Sequence, residues 1–324
     1  MSLQLNHASK TMKNNVVITI AIATFNRPEG LKKVLAGIAK QSVKKGMTAR
    51  VVVADNSMDA NAKSFLREVV KQFPFELIYH HITQQGVVYP RNKCLKDALK
   101  NNSDYLVFID DDEIPNKKWL YYLEQKIRKT GAAVVSGGVK PLFEIKPSWW
   151  MEKGKFFEVM DYPENKPVHY AHTSNVIIDL DVVRNLNIEF DRKYNLSGGE
   201  DTDFFNRIRE AGYDTYFTSE AWVEEEIVAE RQQLKWLVIR WFRTGNTDAI
   251  IKIRKYRDIK TYLYVFLNGG ARIVYGLMCG LIAIPLLIMK KPGLFECIRI
   301  HQRGLGFIMS LFNYSYKEYK EHNR

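Results

Sequence analysis

Cysteine is scarce in this sequence of 324 residues, which contains only Cys94, Cys279 and Cys297. They lie far apart and form no C-x-x-C pair, so neither a disulfide framework nor a zinc site is predicted. We therefore expect the protein to work in a reducing compartment. The polar N-terminal tail, residues 1–15, lacks an apolar segment, and we expect that it is not a secretory signal.

Two glycine-rich nucleotide motifs are also missing. No G-x-G-x-x-G follows the first predicted strand, and no G-x-x-x-x-G-K-[ST] occurs anywhere in the sequence. The sequence thus excludes a dinucleotide-binding fingerprint and a P-loop. If the protein binds a nucleotide, it must use a different set of residues.

Basic residues are concentrated in the C-terminal part. Residues 231–324 contain 17 Lys and Arg against 5 Asp and Glu, a difference that equals the whole net charge of +12. The preceding part is neutral and contains a cluster of acids, which favours a catalytic domain. The basic, aromatic-rich C-terminal part favours contact with an anionic surface. It is too apolar for nucleic acid, which we do not expect as a partner.

Strand-like and helix-like segments alternate from residue 16 onward. The β-branched run Val16–Thr24 predicts a strand buried on both faces of a parallel sheet, and Pro28 begins a helical pattern. Further strands are predicted at Arg50–Ala54, Glu76–His80, Tyr105–Ile109, Ala132–Ser136 and Ser174–Asp179. Helices between the strands predict an α/β fold with a doubly wound, mostly parallel sheet.

The strand Tyr105–Ile109 is followed directly by the acids Asp110, Asp111, Asp112 and Glu113. Ligands of open α/β sheets bind beyond the carboxyl ends of the strands, so this strand would deliver its acids to a ligand. In an extended backbone Asp110 and Asp112 point the same way, which suits Mg²⁺ or Mn²⁺. The alternative is a polar turn that caps the next helix. One acid would suffice for that, so we favour the metal.

Two later segments are further candidates. Residues 137–167 are rich in Pro, Lys and aromatic residues, including Trp149 and Trp150, and predict either a binding loop or a packed surface loop. Gly198 and Gly199 precede Glu200 and Asp201, and glycines let a backbone approach a ligand closely. These acids could also simply stabilise a helix start.

In combination, these segments resemble glycosyltransferase family 2, whose members have the GT-A fold and use nucleotide sugars. The resemblance covers roughly residues 17–245. It rests on Thr24–Arg27, Val53–Ser57, Gly86–Asn92, Ile109–Pro115 with Trp119 and Leu120, and Gly199–Asp201. Each segment alone is weak, whereas their order and spacing together are specific.

The resemblance implies a role for each matching residue. The nucleotide sugar would be bound by Thr24, Asn26, Arg27, Asp55, Arg91, Asp110 and Asp111. Asp112, with Asp110, would bind Mg²⁺ or Mn²⁺, and Asp201 would be the catalytic base. Many relatives have a metal-binding histidine after the last strand, where this chain offers Glu224 as a further candidate ligand.

The acceptor side is expected to include Glu200, Asn175, Trp149 and Trp150. Two of the implied roles have structural alternatives. Asp55 could instead form an Asx-turn with Ser57. Arg91 could pair with a buried acid rather than with the donor.

The segment Gln232–Trp236 approximates the Q-x-x-R-W motif of processive synthases, with Lys235 in place of the arginine. Lysine cannot reproduce the planar fork of arginine. We therefore expect the addition of a single sugar. Helical spacing is predicted to end at Gly245.

The last part of the chain contains one long apolar run. The 17 residues from Ile273 to Met289 carry no charge, which is the short limit for a membrane-spanning helix. We favour a membrane-attached helical hairpin or interfacial helices whose basic residues meet anionic headgroups. A true span and a soluble helical cap are the alternatives.

We thus expect three regions: a polar tail at 1–15, a GT-A catalytic domain at 16–245, and a basic, apolar, helical membrane-association region at 246–324. The protein would lie on the cytoplasmic face of the cell membrane, either peripherally or with one marginal inserted segment.

The expected function is inverting, metal-dependent transfer of a single sugar. The donor is a nucleoside diphosphate sugar, with UDP-sugar favoured, and the acceptor is a hydroxyl of a lipid-linked saccharide in surface polysaccharide or glycolipid synthesis. Such a transfer needs a base for the hydroxyl proton and a cation for the leaving diphosphate. The alternatives are a metal-dependent nucleotidyltransferase, which would release pyrophosphate, and a catalytically inactive membrane-associated scaffold of a polysaccharide assembly complex.

Overall fold

The computed structural model describes residues 15–158 and 162–319, so the predicted tail at 1–15 lies, except for its last residue, outside the described part. The strands are β1 Val16–Thr24, β2 Met47–Asp55, β3 Glu76–His81, β4 Tyr105–Ile109, β5 Glu113–Pro115, β6 Val134–Phe143, β7 Asn175–Asp179 and β8 Thr215–Ile227. The helices are α1 Pro28–Ala39, α2 Lys63–Val69, α3 Val88–Lys100, α4 Trp119–Thr130, α5 Trp149–Gly154, α6 Leu180–Leu186, α7 Glu200–Glu210, α8 Leu234–Tyr256, α9 Ile259–Ala283 and α10 Gly293–Leu311.

All of these strands belong to one sheet in the order β3-β2-β1-β4-β7-β6-β8-β5. The first four are mutually parallel, as predicted. β7 runs antiparallel to both of its neighbours, β6 and β8 are parallel, and β5 is antiparallel to β8. The predicted α/β fold is confirmed, and the mixed half of its sheet is an addition to the prediction.

The two faces of the sheet are covered by different helices. Ile20 of β1 belongs to the cluster that contains Leu31 of α1 and Trp119 of α4. The adjacent Ala21 belongs to the opposite cluster, which contains Leu95 of α3 and Phe204 of α7. Successive residues of one strand therefore contribute to both cores, which explains its continuous apolar sequence.

The segment 137–167, predicted to be irregular, is more ordered than expected. β6 continues to Phe143 because its later residues pair with β8, as far as Phe143 opposite Ile227. Trp149–Gly154 then forms the short helix α5. The extension of β6 could not be predicted locally, because its pairing partner lies more than eighty residues further along the chain.

The predicted helix break at Gly245 is wrong, because α8 runs through it from Leu234 to Tyr256. Gly245 faces α10 so closely that an added Cβ would lie 2.2 Å from the backbone oxygen of Arg303. The glycine thus permits close helix packing rather than ending the helix. The predicted domain boundary after residue 245 falls inside α8.

α9 and α10 form an antiparallel pair, in which Gly269 lies beside Ile308 and Gly276 lies beside His301. The predicted apolar run Ile273–Met289 is not one helix, because α9 ends at Ala283, before Pro285. By length and composition α9 itself could cross a membrane: its most apolar window has a mean hydropathy of 1.5 and is 22% buried.

Candidate active site

A cavity of about 430 Å³ lies at the carboxyl ends of β1 and β4. Its walls come from the turn after β1, the loop before α3, the acids after β4, the end of β8 and the start of α8. The polar and aromatic lining residues are Thr24, Phe25, Arg27, Asn56, Gln85, Arg91, Asp110, Asp111, Asp112, Glu225, Arg231, Trp236, Arg240, Arg243, Glu318 and Tyr319. Acidic and arginine side chains thus line the same cavity.

Asp111 connects the ends of β1 and β4. Its Oδ2 atom accepts a hydrogen bond of 2.7 Å from the hydroxyl of Thr24, and its Oδ1 atom lies 3.1 Å from Nη1 of Arg27. Burial raises the pKa of Asp111 to about 6, although the charge of Arg27 opposes this rise. The chain turns here, with the amide of Glu113 donating to the carbonyl of Asp110, so the extended geometry considered for these acids is not formed.

Asp112 and Asp110 face the cavity with different partners. Oδ2 of Asp112 lies 2.6 Å from Nη1 of Arg27 and 3.4 Å from Nη1 of Arg231. The Asp110 side chain is 39% exposed, and its nearest cation is Nη2 of Arg91 at 3.7 Å. Desolvation by the surrounding protein raises the pKa of Asp110, the charge of Arg91 opposes this rise, and the charge of Asp112 adds to it. Adding a cation would relieve this repulsion.

These acids fit a divalent cation only in part. No group of three or more His, Cys, Asp or Glu side chains in residues 15–158 and 162–319 is arranged to hold a metal ion. Asp110 and Asp112 supply two hard oxygen donors. Mg²⁺ and similar ions are commonly held by one or two carboxylates, with phosphate and water oxygens as the other ligands. The donor set therefore fits a cation that shares its ligands with a phosphate-bearing substrate.

Arg91 is held from behind by Glu200. Its Nη1 forms an ion pair with Oε1 of Glu200, whose side chain is 2% exposed. The other carboxylate oxygen, Oε2, has no hydrogen-bond partner within the described part of the chain. Arg91 thus pairs with a buried acid and also lines the cavity, so the alternative considered for it is confirmed without removing it from the site.

Three arginines near the start of α8 complete the cavity, and the sequence analysis did not single them out. Arg231 bridges Asp112 and Glu225, and Arg243 pairs with Glu318. Arg240 lies 5.2 Å from the centre of the Trp236 ring and has no carboxylate within 4.0 Å among the described residues. Burial lowers the pKa of Arg240, and the charge of Glu225 opposes this decrease.

The C-terminal strap, residues 314–319, reaches the cavity from the far end of the chain. Asn246 bonds the carbonyl of Tyr314 and the amide of Tyr316, each at 2.9 Å. The amide of Tyr319 donates to the carbonyl of Leu196 at 3.1 Å, and burial raises the pKa of the Tyr319 phenol. Glu318 and Tyr319 therefore form one wall of the cavity.

Asp201, near the start of α7, has an unpredicted partner. Nδ1 of His172 lies 3.3 Å from its Oδ2 atom, and its Oδ1 atom accepts a hydrogen bond of 2.6 Å from the amide of Thr202. Burial raises the pKa of Asp201, but His172, Arg91 and the amide of Thr202 together lower it below the ordinary value. The charge of Arg91 lowers the pKa of Asp201, and the charge of Asp201 in turn acts to raise the pKa of Arg243. Both arginines line the cavity, so Asp201 lies beside it.

A sequence profile described as Glycosyl transferase family 2 matches residues 19–186, just over half of the chain. The chain belongs to glycosyltransferase family 2. It is also 32% identical, over 253 residues, to the succinoglycan biosynthesis protein ExoM of Rhizobium meliloti (strain 1021). That match covers 78% of this chain and 81% of ExoM.

Two solved structures share the fold of this chain. S. aureus TarS 1-349 in complex with UDP gives a TM-score of 0.52 at 15% identity, covering 91% of this chain and 92% of that one. The mannosyltransferase PcManGT from Pyrobaculum calidifontis, in complex with GDP-Man and Mn²⁺, gives 0.63 at 14% identity, covering 91% and 86%. At these identities the likeness establishes the GT-A fold of this family 2 chain.

Within this family 2 fold, six of the predicted donor and metal residues lie together in the cavity: Thr24, Arg27, Arg91, Asp110, Asp111 and Asp112. Two predicted donor residues, Asp55 and Asn26, do not line it. Asp55 is 0% exposed, and its oxygens accept bonds from the amide of Ser57 and the hydroxyl of Tyr79, so the Asx-turn alternative is formed. Asn26 bonds the neighbouring turn through Asn61.

The predicted acceptor residues of this family 2 chain are engaged elsewhere. Asn175 is buried, and its amide bonds Trp119, Gly138 and Ala221. Glu200 is closed off behind Arg91. Trp150 stacks on Phe295 of α10 at 4.3 Å, and Trp149 meets the same ring edge-on, so the packed-loop alternative describes them.

Glu224 is a further correction for this family 2 site. It does not line the cavity, whereas the adjacent Glu225 does. Successive side chains of a strand point to opposite faces, so only one of the two can face Asp112. The local sequence gave no signal for the phase of this alternation, because three consecutive glutamates occupy residues 224–226.

Proposed function

We propose that this chain transfers a single sugar, with inversion, from a nucleoside diphosphate sugar to a hydroxyl of a lipid-linked saccharide. A UDP-sugar is the favoured donor, and surface polysaccharide or glycolipid synthesis is the context. The observation that carries the proposal is the convergence of three aspartates and five arginines on one cavity at the strand ends. The similarity to ExoM, a succinoglycan biosynthesis protein, supports the polysaccharide context.

The arginines supply the positive charge that a diphosphate requires. Arg91 is fixed by Glu200, and Arg240 lies 5.2 Å from the centre of the Trp236 ring without a carboxylate partner among the described residues. Guanidinium groups bind phosphate oxygens through paired hydrogen bonds. Arg27 and Arg231 are already paired with acids, so they would orient Asp111 and Asp112 rather than carry the diphosphate.

Asp110 and Asp112 are the residues that would hold Mg²⁺ or Mn²⁺. When bound, such a cation neutralises charge that develops on the departing diphosphate. The chain's own residues set the position of both carboxylates: Arg27 and Arg231 hold Asp112, and Arg91 lies near Asp110. We expect either aspartate to be essential for turnover.

Asp201 lies beside the cavity, close enough to Asp110 for its charge to raise the pKa of that carboxyl, and it would serve as the base for the acceptor hydroxyl with His172 as its partner. Lys235, in the position of the processive arginine, is exposed and does not line the cavity. This placement supports transfer of one sugar rather than polymerisation.

We further propose that α9 lies in the plane of a membrane surface. Its outward face carries exposed apolar side chains: Leu263, Phe266, Leu267, Val274, Leu277, Met278, Leu281 and Ile282. An apolar face of this length, on a helix flanked by basic residues, is typical of an interfacial helix that meets anionic headgroups.

The neighbouring helix argues against a span. α10 packs along α9 and carries Arg299 and Arg303. A spanning α9 would draw these arginines into hydrocarbon, at a cost of about 2.5–3.5 kcal/mol each near the helix centre. An in-plane helix leaves them at the headgroups, on the cytoplasmic face of the membrane.

The test is to incubate the purified full chain with Mn²⁺, a lipid extract and each of UDP-glucose, UDP-galactose, UDP-GlcNAc and GDP-mannose. We expect release of a nucleoside diphosphate together with a labelled, lipid-extractable product. Release of pyrophosphate would identify a nucleotidyltransferase instead. No turnover, with cellular function preserved in an Asp112→Asn variant, would identify a scaffold.

A further inference from the structure

A second group of arginines lies outside the cavity, where α9 and α10 pack together. A Cβ on Gly304 of α10 would lie 2.8 Å from that of Arg272 of α9, so the two helices are in close contact at this level. Arg303 directly precedes Gly304, and Arg299 lies one turn earlier on the same face of α10. These three arginines, 272, 299 and 303, form what we call the arginine cluster.

Arg272 forms no ion pair with a carboxylate in the part of the chain that the structure describes. Its Nε donates a hydrogen bond of 2.7 Å to Oδ1 of Asn268, and its guanidinium carbon lies 5.2 Å from the centre of the Phe307 ring. Burial lowers the pKa of Arg272, and the charges of Arg303 and Arg299 lower it further. Because these like charges repel one another, an anion bound among them would stabilise the cluster.

The acids around the cluster do not balance its charge. Arg303 pairs with Asp248 of α8 at 2.6 Å, and Arg299 pairs with Glu296 on its own helix. Lys252, one turn after Asp248, opposes the rise that burial causes in the pKa of that carboxyl. The three arginines and Lys252, set against two carboxylates, leave a net charge of +2.

The cluster lies close to the acceptor side of the cavity. Asp248 follows Arg243, a residue of the cavity wall, by five positions on α8, which is a rise of about 7.5 Å along the helix. The charge of Asp248 also acts to raise the pKa of His172, the partner of Asp201. A ligand bound at the cluster would therefore lie near the base proposed for the acceptor hydroxyl.

The surroundings of Arg272 suit a lipid. It is the only charged residue of α9 after Lys260, and the exposed apolar side chains of Leu267, Val274 and Met278 lie on the same helix. A diphosphate that joins a lipid to a saccharide carries two negative charges, whereas the phosphate of phosphatidylglycerol carries one. The net charge of the cluster therefore favours the diphosphate.

We propose that the arginine cluster binds the diphosphate of a lipid-linked acceptor, with Arg272 as the central contact. The lipid chain lies along α9, and the saccharide extends toward the cavity. The guanidinium groups bind the phosphate oxygens through paired hydrogen bonds. No bond is made or broken at this site, which holds and positions the acceptor. This inference rests on the proposed function, because it names the part of the acceptor that the enzyme holds.

The binding test uses farnesyl diphosphate, a soluble isoprenoid diphosphate, titrated calorimetrically into the full chain in mild detergent with EDTA. The wild type should bind it, and Arg272→Gln should weaken binding about tenfold or more. Arg272→Lys keeps the charge but not the planar fork, so it should weaken binding by only about two- to fivefold. Equal affinity in the wild type and in Arg272→Gln would overturn the inference.

Lys260→Gln is the matched control, because Lys260 is an exposed cation on the same helix. It should leave the affinity for farnesyl diphosphate within about twofold of the wild type. UDP with Mn²⁺ should bind Arg272→Gln as it binds the wild type, because Arg272 does not line the cavity. Loss of UDP binding in Arg272→Gln, or displacement of farnesyl diphosphate by UDP, would overturn the inference.

Vesicles of phosphatidylcholine with phosphatidylglycerol distinguish the acceptor from the bilayer as the source of the phosphate. Arg272→Gln should sediment with these vesicles as the wild type does. A loss of vesicle binding as large as the loss of farnesyl diphosphate binding would identify a phospholipid headgroup as the ligand and overturn the assignment to the acceptor.

The kinetic test measures nucleoside diphosphate release with a lipid extract as the acceptor. Arg272→Gln should raise the KM for the lipid extract about tenfold, with kcat within about twofold of the wild type, because the lost contact binds the acceptor before and during the transfer. A lower kcat with an unchanged KM would overturn the inference. Absence of release from the wild type would overturn the proposed function. The titration needs neither donor nor turnover, so the two failures can be told apart.

Discussion

We expect binding of a diphosphate to depend most directly on Arg240. It lines the cavity and has no carboxylate within 4.0 Å in the described chain, so its charge is available to a ligand. A hydrogen bond to a charged group contributes about 1.5–3 kcal/mol. We expect Arg240→Gln to weaken UDP or GDP binding about 10- to 100-fold in calorimetric titration.

Lys235 provides the control for this prediction, because it lies on the same helix but is exposed and outside the cavity. Lys235→Gln should leave nucleotide affinity within about twofold of the wild type. Equal losses in both variants would mean that general charge, rather than the position of Arg240, attracts the nucleotide.

The place of consecutive residues in the site could be predicted from the sequence, whereas contacts between residues far apart in the chain could not. Asp110–Asp112 could be assigned to a site because they follow a buried strand and the ends of parallel strands meet at one edge. The pairing of His172 with Asp201 joins residues 29 positions apart through the fold alone. The choice of Glu225 over Glu224 depends on strand phase, which a run of identical acids conceals.

At the scale of elements, we expect the C-terminal strap to compete with the donor for Arg243. Glu318 pairs with Arg243 in the cavity wall, where a diphosphate would also seek a cation. Partly exposed ion pairs contribute about 0–1 kcal/mol. Glu318→Gln should therefore tighten UDP binding by about two- to fivefold.

Lys317→Gln, one residue earlier and outside the cavity lining, is the control for the strap and should leave the affinity unchanged. Weaker binding in Glu318→Gln would show that the carboxylate supports the donor site rather than competing for it.

The contact between α9 and α10 depends on glycine. A Cβ on Gly276 would lie 2.6 Å from that of His301 and 2.8 Å from the carbonyl oxygen of Cys297, whereas a Cβ on Gly270 would meet nothing within 4 Å. Gly276→Ala should cost about 1–3 kcal/mol through overpacking. Gly270→Ala should instead add about 0.5–1 kcal/mol by restricting the unfolded chain.

Urea unfolding in mild detergent, followed by circular dichroism, measures both glycine effects. Similar changes in the two variants would mean that α9 and α10 do not pack closely in solution.

Elements were predictable where local pattern decides them, as in β1 and β4, whose predicted bounds match the structure. The reversed direction of β7 was not, because apolar periodicity carries no strand direction. Gly245 was misinterpreted as a helix break for a related reason. Its role is set by Arg303 of α10, far along the chain.

At the scale of the whole molecule, the exposed face of α9 should direct the protein to membranes. We expect the full chain to sediment with vesicles that contain anionic lipid, less so at high salt, because the basic residues are screened. Alkaline carbonate should extract it, because a helix that lies in the plane of the membrane, as proposed for α9, does not span the bilayer. Persistence in carbonate-washed membranes would contradict the in-plane arrangement.

Two matched substitutions test the face itself. Ile282, on α9, is 73% exposed, and Val70, just after α2, is 46% exposed. Ile282→Asp should reduce vesicle binding about tenfold or more, because a charge enters the apolar face. Val70→Asp should leave it unchanged.

The central claim is that Asp110, Asp112 and the arginines form one site for a cation and a diphosphate. Calorimetric titration of UDP and of GDP into the full chain tests it most directly. Each titration is run with Mn²⁺ and with EDTA, on the wild type and on the variants Asp112→Asn and Glu224→Gln. We predict that one nucleotide binds with Mn²⁺, that EDTA or Asp112→Asn weakens it about tenfold or more, and that Glu224→Gln does not. If the affinity in EDTA, or that of Asp112→Asn with Mn²⁺, equalled the affinity of the wild type with Mn²⁺, the account would be contradicted.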